Sequence, residues 1–244
     1  MGKIGQYIIS LYFWCGLFLF SAVLFPLSFL IWFLTFPFDR RLFIMHKYAC
    51  LWSTIVLSLN PIWRIRVTGK EKIDKKATYV MVSNHQSGMD IIVLFKLWTH
   101  FRWISKKSLF YVPFIGWNMW LNRYISLERG KSSSMRKMMA DAEKTLKAGN
   151  SVMMFPEGTR SRTGKIQPFK TGAFHIAQNA RVPVLPIAIS GTFDSVRKGG
   201  FLVIKNYNIL AEVLDPIPYE TFANLEPKEV AEMVHGMIAA KLVK

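Results

Sequence analysis

The sequence predicts an α/β domain with a mixed, mostly buried sheet flanked by helices, preceded by an N-terminal apolar helical segment that anchors the chain to a membrane. Three observations predict it. Residues 4–38 contain no charged side chain. From residue 62 onward, short apolar runs alternate with amphipathic stretches, the order expected of a layered α/β domain. Two of the apolar runs end in polar, glycine-bearing loops, at residues 84–90 and 155–174, and open sheets place ligand sites at such carboxyl ends. The chain divides accordingly into residues 1–60, a membrane-associated helical segment, and residues 61–244, the α/β domain.

Composition supports the division. Of 244 residues, 51% are hydrophobic without counting glycine, above the roughly 45–50% usual for soluble domains with glycine included. The excess lies at the N-terminus. The apolar stretch is too long for a signal-peptide core and ends in no small-residue cleavage pattern, so it is read as retained. A bilayer core needs about 20 helical residues, and the stretch exceeds that, with Pro26 near its middle. Two readings stay open. Residues 5–25 span the bilayer once, or the run bends at Pro26 and packs against a second helix within one leaflet. Residues 40–60 could be that partner, with Arg40 and Arg41 reaching to the interface, or they could form a core helix.

Net charge is +17, from 32 Lys and Arg against 15 Asp and Glu. The positive charge lies between Arg40 and Lys205; the last forty residues are mildly acidic. Such a field attracts polyanions. No helix-turn-helix, zinc or aromatic RNA-binding pattern is present, so nucleic acid is not expected as a partner. An anionic membrane surface is, because it attracts basic groups beside an apolar anchor by about 1 kcal/mol each. The bias of basic residues toward the cytoplasmic side places the main domain on that face. Cys15 and Cys50 both sit in apolar segments and imply neither a disulfide framework nor a metal site.

Each element follows from its local pattern. IWRIRV alternates as a half-exposed strand does, and ATYVMVS is a second strand. DIIVLFKLW reads as a helix with Asp90 near its start, offsetting the N-terminal dipole. HFRWIS and YISLE are short strands. SSSMRKMMADAEKTLKAG has a polar start, apolar residues at helical spacing and a closing glycine. SVMMFPEG is a strand broken by proline, GAFHIAQNA a helix, VPVLPIAIS a strand carrying two prolines, YNILAEVLDPI a last strand. PKEVAEMVHGMIAAKLVK is an amphipathic C-terminal helix. GKEKIDKKA is a charged surface loop, the pair Gly199 and Gly200 a turn, and the aromatic runs WNMWLNRY and WFLTFPF are interface anchors or core.

The first loop reads NHQSGMD. His85 and Asp90 are five positions apart. On a continuous helix that is about 500° of rotation, so they would not share a face. If the loop folds back, eased by positive φ at Gly88, Asp90 can hold one ring nitrogen and leave the other as a base. The alternative is an ordinary turn with Asn84 and Asp90 as capping groups. The second loop, FPEGTRSRTGKIQPFKTGAF, offers glycines 158, 164 and 172 with Thr159, Arg160, Arg162, Lys165 and Lys170. Backbone amides, hydroxyls and guanidinium forks suit a phosphate, although the order of a P-loop is missing. Glu157 either pairs with these cations or holds a substrate hydroxyl. The bland alternative is a solvated basic loop. His46, His100, His175 and His235 are read as structural or surface residues.

Read together, the two loops resemble the glycerolipid acyltransferases, enzymes of phospholipid synthesis that acylate lysophosphatidic acid. Asn84, His85 and Asp90 match the family's first block, Phe155 to Arg160 its third, and Val182 to Ile187 with Ser190 and Gly191 look like its fourth. SKKSLFYVPFIGW is similar to the lysine-led segment after the first block. The second block departs: Arg123 to Arg129 keeps the arginine, lacks the glycine and has Glu128 where Asp or Asn is usual. The resemblance implies an O-acyltransferase without a cofactor, in which acyl-CoA or acyl carrier protein is the thioester donor and a lysophospholipid the acceptor. It implies that His85 acts as general base and Asp90 orients it. It further implies that Arg129, Gly158, Thr159 and Arg160, with Lys106 or Lys107, hold the acceptor's phosphate, and that Glu157 contacts its glycerol backbone. Ser87 is the alternative as a covalent nucleophile. A reading from another class is a non-catalytic protein that binds anionic membranes.

Overall fold

The computed structural model describes residues 3–60, 63–196, 200–203 and 208–242. Two helices come first, α1 (Lys3–Thr35) and α2 (Phe43–Ser58). Then follow β1 (Arg64–Thr68), β2 (Val80–Ser83), α3 (Met89–Leu94), β3 (Phe101–Lys106), α4 (Ile115–Leu121) and β4 (Ile125–Leu127). The chain continues through α5 (Ser132–Lys147), β5 (Ser151–Met154), α6 (Gly172–Ala180), β6 (Val184–Ser190), β7 (Asn208–Val213), α7 (Tyr219–Phe222) and α8 (Pro227–Ala239). The expected strand start at Ile62, the strand residue Tyr207 and the turn residue Gly199 lie outside the described residues.

The strands form one sheet in the order β1-β7-β6-β2-β5-β3-β4. Neighbours run parallel except β6 and β7. A parallel sheet covered on both faces needs strands that are apolar throughout, and VMVS, SVMM and VLPIAIS are buried almost end to end. The edge strand β1 instead alternates, with Arg64 and Arg66 exposed, a charged edge that discourages pairing with other chains. One face packs against α1, α2 and α3 around Met81, Phe95, Trp103, Met153 and Leu185. The other packs against α5, α6 and α8 around Ile104, Met138, Phe174 and Val234. Each such side chain, fully buried, contributes about 1.5–3 kcal/mol. In α5, residues Met138, Ala142, Thr145 and Leu146 recur at helical spacing and are the buried ones. Pro227 opens α8 behind a capping box made by Glu226 and Glu229.

One of the two sequence readings has the run bend at Pro26. Helix α1 continues through it to Thr35. Proline removes one helical hydrogen bond, but contacts on both sides hold the axis. Trp52 Nε1 donates to Ser21 Oγ at 3.2 Å, Tyr48 Oη to Leu24 O at 2.7 Å, and Ser28 Oγ to Asn118 Oδ1 at 2.8 Å. The reversal comes at residues 36–42, where Asp39 accepts the amides of Phe43 and Ile44 at 2.9 and 2.7 Å and so supplies two of the partners a helix start lacks. Helix α2 then packs back on α1 and shares its buried residues Ala49, Cys50, Val56 and Leu57 with the core of the sheet.

Helix α1 is long and apolar enough to cross a membrane, yet only 11% of its most apolar window is buried. That excludes an ordinary core helix. It is also fastened along its length, since Val203 N donates to Ser10 Oγ at 2.8 Å and Trp14 Nε1 to Phe201 O at 2.7 Å. One side of α1 therefore serves the domain, and the other presents Ile8, Leu19, Val23, Leu30 and Phe33 outward. Helix α4 went unanticipated: its run IGWNMWL buries Gly116 and Met119 and leaves Trp117 and Trp120 exposed.

Gly191, which closes β6, has φ +82°, and a Cβ there would collide with the carbonyl oxygen of Asn208. Gly191→Ala is expected to destabilise the protein by about 2 kcal/mol or more, read as a lower denaturation midpoint; an unchanged midpoint would contradict the β6–β7 crossing described here.

Candidate active site

The loop between β2 and α3 is held from three sides. Asn84 is clamped to β6 by two bonds, Nδ2 donating to Ile189 O and Oδ1 accepting Ile189 N, both 2.8 Å. The next residue gives both of its backbone groups to the loop after β5. His85 N donates to Glu157 Oε1 at 2.6 Å, and His85 O accepts Ser161 N at 2.9 Å. The third hold is Asp90. Its Oδ2 accepts Gln86 N at 2.7 Å, Ser87 N at 2.8 Å and His85 Nδ1 at 2.8 Å.

The fold-back expected of this loop is therefore present, with a different cause. Gly88 has φ −62°, an ordinary right-handed value. The carboxylate that gathers two successive amides makes the turn. A Cβ at Gly88 would make only ordinary contact, 3.4 Å from Arg160 Nη1.

Because Oδ2 already accepts two amide protons, Nδ1 is the donor in the His85–Asp90 bond. Nε2 then carries the lone pair. The ring is fixed in its plane as well as its tautomer: it stacks on Phe155 at 3.9 Å with planes 7° apart, and Phe155 stacks on Trp103 at 5.4 Å. Asp90 is wholly buried and its Oδ1 has no hydrogen-bond partner among the described residues.

His85 lines a cavity of about 490 Å³. Lys106, from the end of β3, lines it with Arg129, Thr159 and Arg160. Burial lowers the pKa of the Arg129 guanidinium, and the nearby charge of Arg160 lowers it further. Most of the remaining wall is apolar and comes from four helices, among them Leu17 of α1, Trp52 of α2, Ile92 of α3 and Met119 of α4. A base, a cluster of cations and an apolar wall thus share one space.

The other expected site residues stand elsewhere. Lys107 lies outside the lining and pairs with Glu128 at 3.3 Å. Lys131 also pairs with Glu128, so this carboxylate turns outward while Arg129 turns in. Glu157 is also absent from the lining. It is buried, with Oε1 on His85 N and Oε2 accepting Gln167 N at 3.1 Å. Burial raises its pKa to about 7 against the pull of those two amides. Gly158, at φ +71°, makes the turn that brings Thr159 and Arg160 back to the cavity, and a Cβ there would press on Lys170 at 3.1 Å. Phe155 is named in the sequence only as part of the third block, and its stacking role, like Trp103 and the helical wall, is not legible there. The only sequence signal for the wall is the run of aromatics in residues 110–124.

Comparison with known proteins places this geometry. Over 182 residues the chain is 36% identical to a chloroplastic 1-acyl-sn-glycerol-3-phosphate acyltransferase of Arabidopsis thaliana, which covers 74% of this chain and 50% of that protein. A yeast enzyme of the same name, from Saccharomyces cerevisiae, is 35% identical over 73% of this chain and 59% of its own length. The chain thus spans about half the length of the plant relative. A Haemophilus influenzae protein of that name is 28% identical, covering 76% and 78% of the two chains. Among solved structures, the 1-acyl-sn-glycerophosphate (LPA) acyltransferase PlsC of Thermotoga maritima superposes with a TM-score of 0.81 at 26% identity, over 98% of this chain and 95% of that one. A family match runs over residues 64–190, from β1 to the end of β6, and takes in His85, Asp90, Glu157 and the cations of the cavity: the chain belongs to the Acyltransferase family.

Proposed function

We propose that this protein transfers an acyl group from a thioester to the free sn-2 hydroxyl of a 1-acylglycerol 3-phosphate, giving phosphatidic acid. One observation carries the reading: a buried carboxylate 2.8 Å from His85 Nδ1, in a cavity that also holds Arg129 and Arg160 and is otherwise largely apolar. The names of the relatives supply the acceptor. Nε2 takes the proton of the hydroxyl as its oxygen forms a bond to the thioester carbonyl carbon. Asp90 stabilises the imidazolium. The tetrahedral intermediate then collapses, the carbon–sulfur bond breaks, and the imidazolium returns its proton to the thiolate. General-base help of this kind contributes about 10²–10⁴-fold.

The cations hold the acceptor's phosphate, and the apolar wall takes acyl chain. Holding hydroxyl and carbonyl in contact supplies much of the remaining rate. Direct attack is favoured over a covalent route, because Ser87 is fully buried and donates to Val196 O at 3.0 Å. Either acyl-CoA or acyl carrier protein fits as donor, and glycerol 3-phosphate or a lysophospholipid with a larger headgroup are the alternative acceptors. The outward apolar side of α1, fastened to the domain along its length, favours lying in one leaflet, with the catalytic domain on the cytoplasmic face. Product and acceptor then stay at the headgroup plane, sparing about 0.8 kcal/mol per CH₂ that would otherwise meet water.

His85→Ala is expected to cut thiol release from acyl-CoA, with lysophosphatidic acid present, by about 10³-fold, while vesicle binding persists. Near-wild-type release would leave the non-catalytic membrane-binding reading standing. Arg129→Ala should raise KM for lysophosphatidic acid by about tenfold, roughly 1.4 kcal/mol, and change KM for the thioester much less. Glu157→Gln places an amide NH₂ against one of two backbone donors. It should lower kcat by tenfold or more and leave acceptor KM within about twofold, whereas a substrate-contacting Glu157 would show itself in KM. The same variant bears on stability. A carboxyl whose folded pKa is raised to about 7 from 4.5 contributes stability that is fully present below about pH 4.5 and lost as pH rises to 7. Denaturant unfolding across that window should fall more steeply for the wild type than for Glu157→Gln.

A further inference from the structure

A second group of cations lies at the opposite end of β3 from the His85 site. Arg102 is the second residue of that strand, and Lys106, which lines the catalytic cavity, is its last. Four residues of strand separate them by about 13 Å. Strands β3 and β4 pair Ile104 with Ile125. Carried back two residues, that register brings Arg102 level with Arg123. Arg41 reaches the same end from the turn after α1, where it donates to Gly149 O, two residues before the Ser151–Phe101 pair of β5 and β3.

Three guanidinium groups thus converge where nothing opposes them. Arg102 is 9% exposed, its buried Nε has no hydrogen-bond partner, and none of its nitrogens donates a hydrogen bond among the described residues. None of the three pairs with a described carboxylate. The nearest acids on packed elements are occupied: Asp39 by the amides of α2, Asp141 by Lys137 and Glu143 by Asn179. Neighbouring like charges on paired strands destabilise a sheet, and a buried charge without a partner is costly. Arg102 nevertheless stays a cation. Burial, and then the charge of Arg123, bring its pKa down only to about 10. His100 beside it is pushed to about 4 by burial, Arg102 and Arg41, so it is neutral and the charge belongs to the arginines.

The surroundings indicate where an anion would come from. Arg123 lies over the ring of Phe36, 5.6 Å from its centre, and Arg41 over Phe43 at 4.7 Å. Phe36, Phe38 and Trp120 are 45%, 70% and 60% exposed. The cluster therefore adjoins the end of the apolar helix α1, among aromatic side chains of the kind that sit at a headgroup plane. We propose that Arg102, Arg41 and Arg123 form a second anion site, separate from the catalytic cavity, that takes the phosphate of a membrane phospholipid and fixes how the domain sits on the bilayer. Guanidinium forks match phosphate oxygens two at a time, and one anion between the three would relieve their mutual repulsion.

The test needs no turnover, so it stands apart from the catalytic reading. The full chain carrying Arg129→Ala, which weakens the catalytic cation cluster, is melted in neutral detergent with added short-chain phosphatidylglycerol or with inorganic phosphate. The lipid is expected to raise the melting midpoint, and Arg102→Gln or Arg123→Ala to reduce that rise by at least half. Arg123 is exposed, so its variant remains informative if Arg102→Gln does not fold. An undiminished rise in Arg123→Ala and Arg41→Ala overturns the site. Inorganic phosphate matching the lipid, with the same dependence on Arg123, overturns the lipid as its occupant.

Discussion

A single carboxylate oxygen organises the candidate site. Asp90 Oδ2 gathers the amides of Gln86 and Ser87 and the Nδ1 proton of His85. Without it the loop has no reason to fold back, and the imidazole has no reason to prefer one tautomer. Three donors on one oxygen also make a fully buried charge tolerable, because bonds to an ionised acceptor are about twice as strong as neutral ones. The rest of the frame resists distortion of that knot. Asn84 clamps one end to β6, Glu157 and Ser161 clamp the histidine backbone to the neighbouring loop, and Phe155 limits rotation of the ring. Positioning is thus spread over β2, β5 and β6, three adjacent strands of a rigid sheet.

The fold explains why an apolar cavity adjoins so polar a knot. A parallel sheet needs both faces covered. Helices α5, α6 and α8 cover one face closely. On the other face the cover is built in part from α1 and α2, helices whose outer side is itself apolar. They contribute Trp14, Leu17 and Trp52 to the cavity wall. The N-terminal segment therefore acts on the site directly: it encloses the space in which an acyl chain would lie. Residues on both sides of position 60 share one core.

How much of this the sequence discloses depends on whether the information is local. Strands ATYVMVS and SVMMFPEG, and the helix GAFHIAQNA, are legible because period and punctuation are local; the structure keeps the helix residue for residue and shortens the strands to VMVS and SVMM. His85 and Asp90 are legible as a motif, yet the cause of their approach is not, because it rests on backbone amides that every residue has. Glu157 looks like one more polar group in a basic loop; its inward turn depends on donors from His85 and Gln167, the first 72 residues away. Pro26 reads as a break, and local reasoning cannot weigh one lost hydrogen bond against tertiary ties from Trp52, Tyr48 and Asn118. Lys106 and Lys107 are indistinguishable in sequence; Lys106 ends β3 and lines the cavity, whereas Lys107 begins the turn that follows and pairs with Glu128.

The distribution of charge follows from the same architecture. A net charge of +17 would be self-repelling if its members were free to crowd. On exposed helices they are not: Lys137 and Lys228 each have a carboxylate one turn away. Arg129 and Arg160 are different: they line one cavity, and the charge of Arg160 adds to burial in lowering the Arg129 pKa. A phosphate between them turns their mutual repulsion into attraction, whereas a neutral glycerol headgroup would leave it in place. Since about 1.4 kcal/mol is a factor of ten in affinity, a modest attraction of this kind would be enough to favour a phosphorylated acceptor, with no contact specific to the glycerol required.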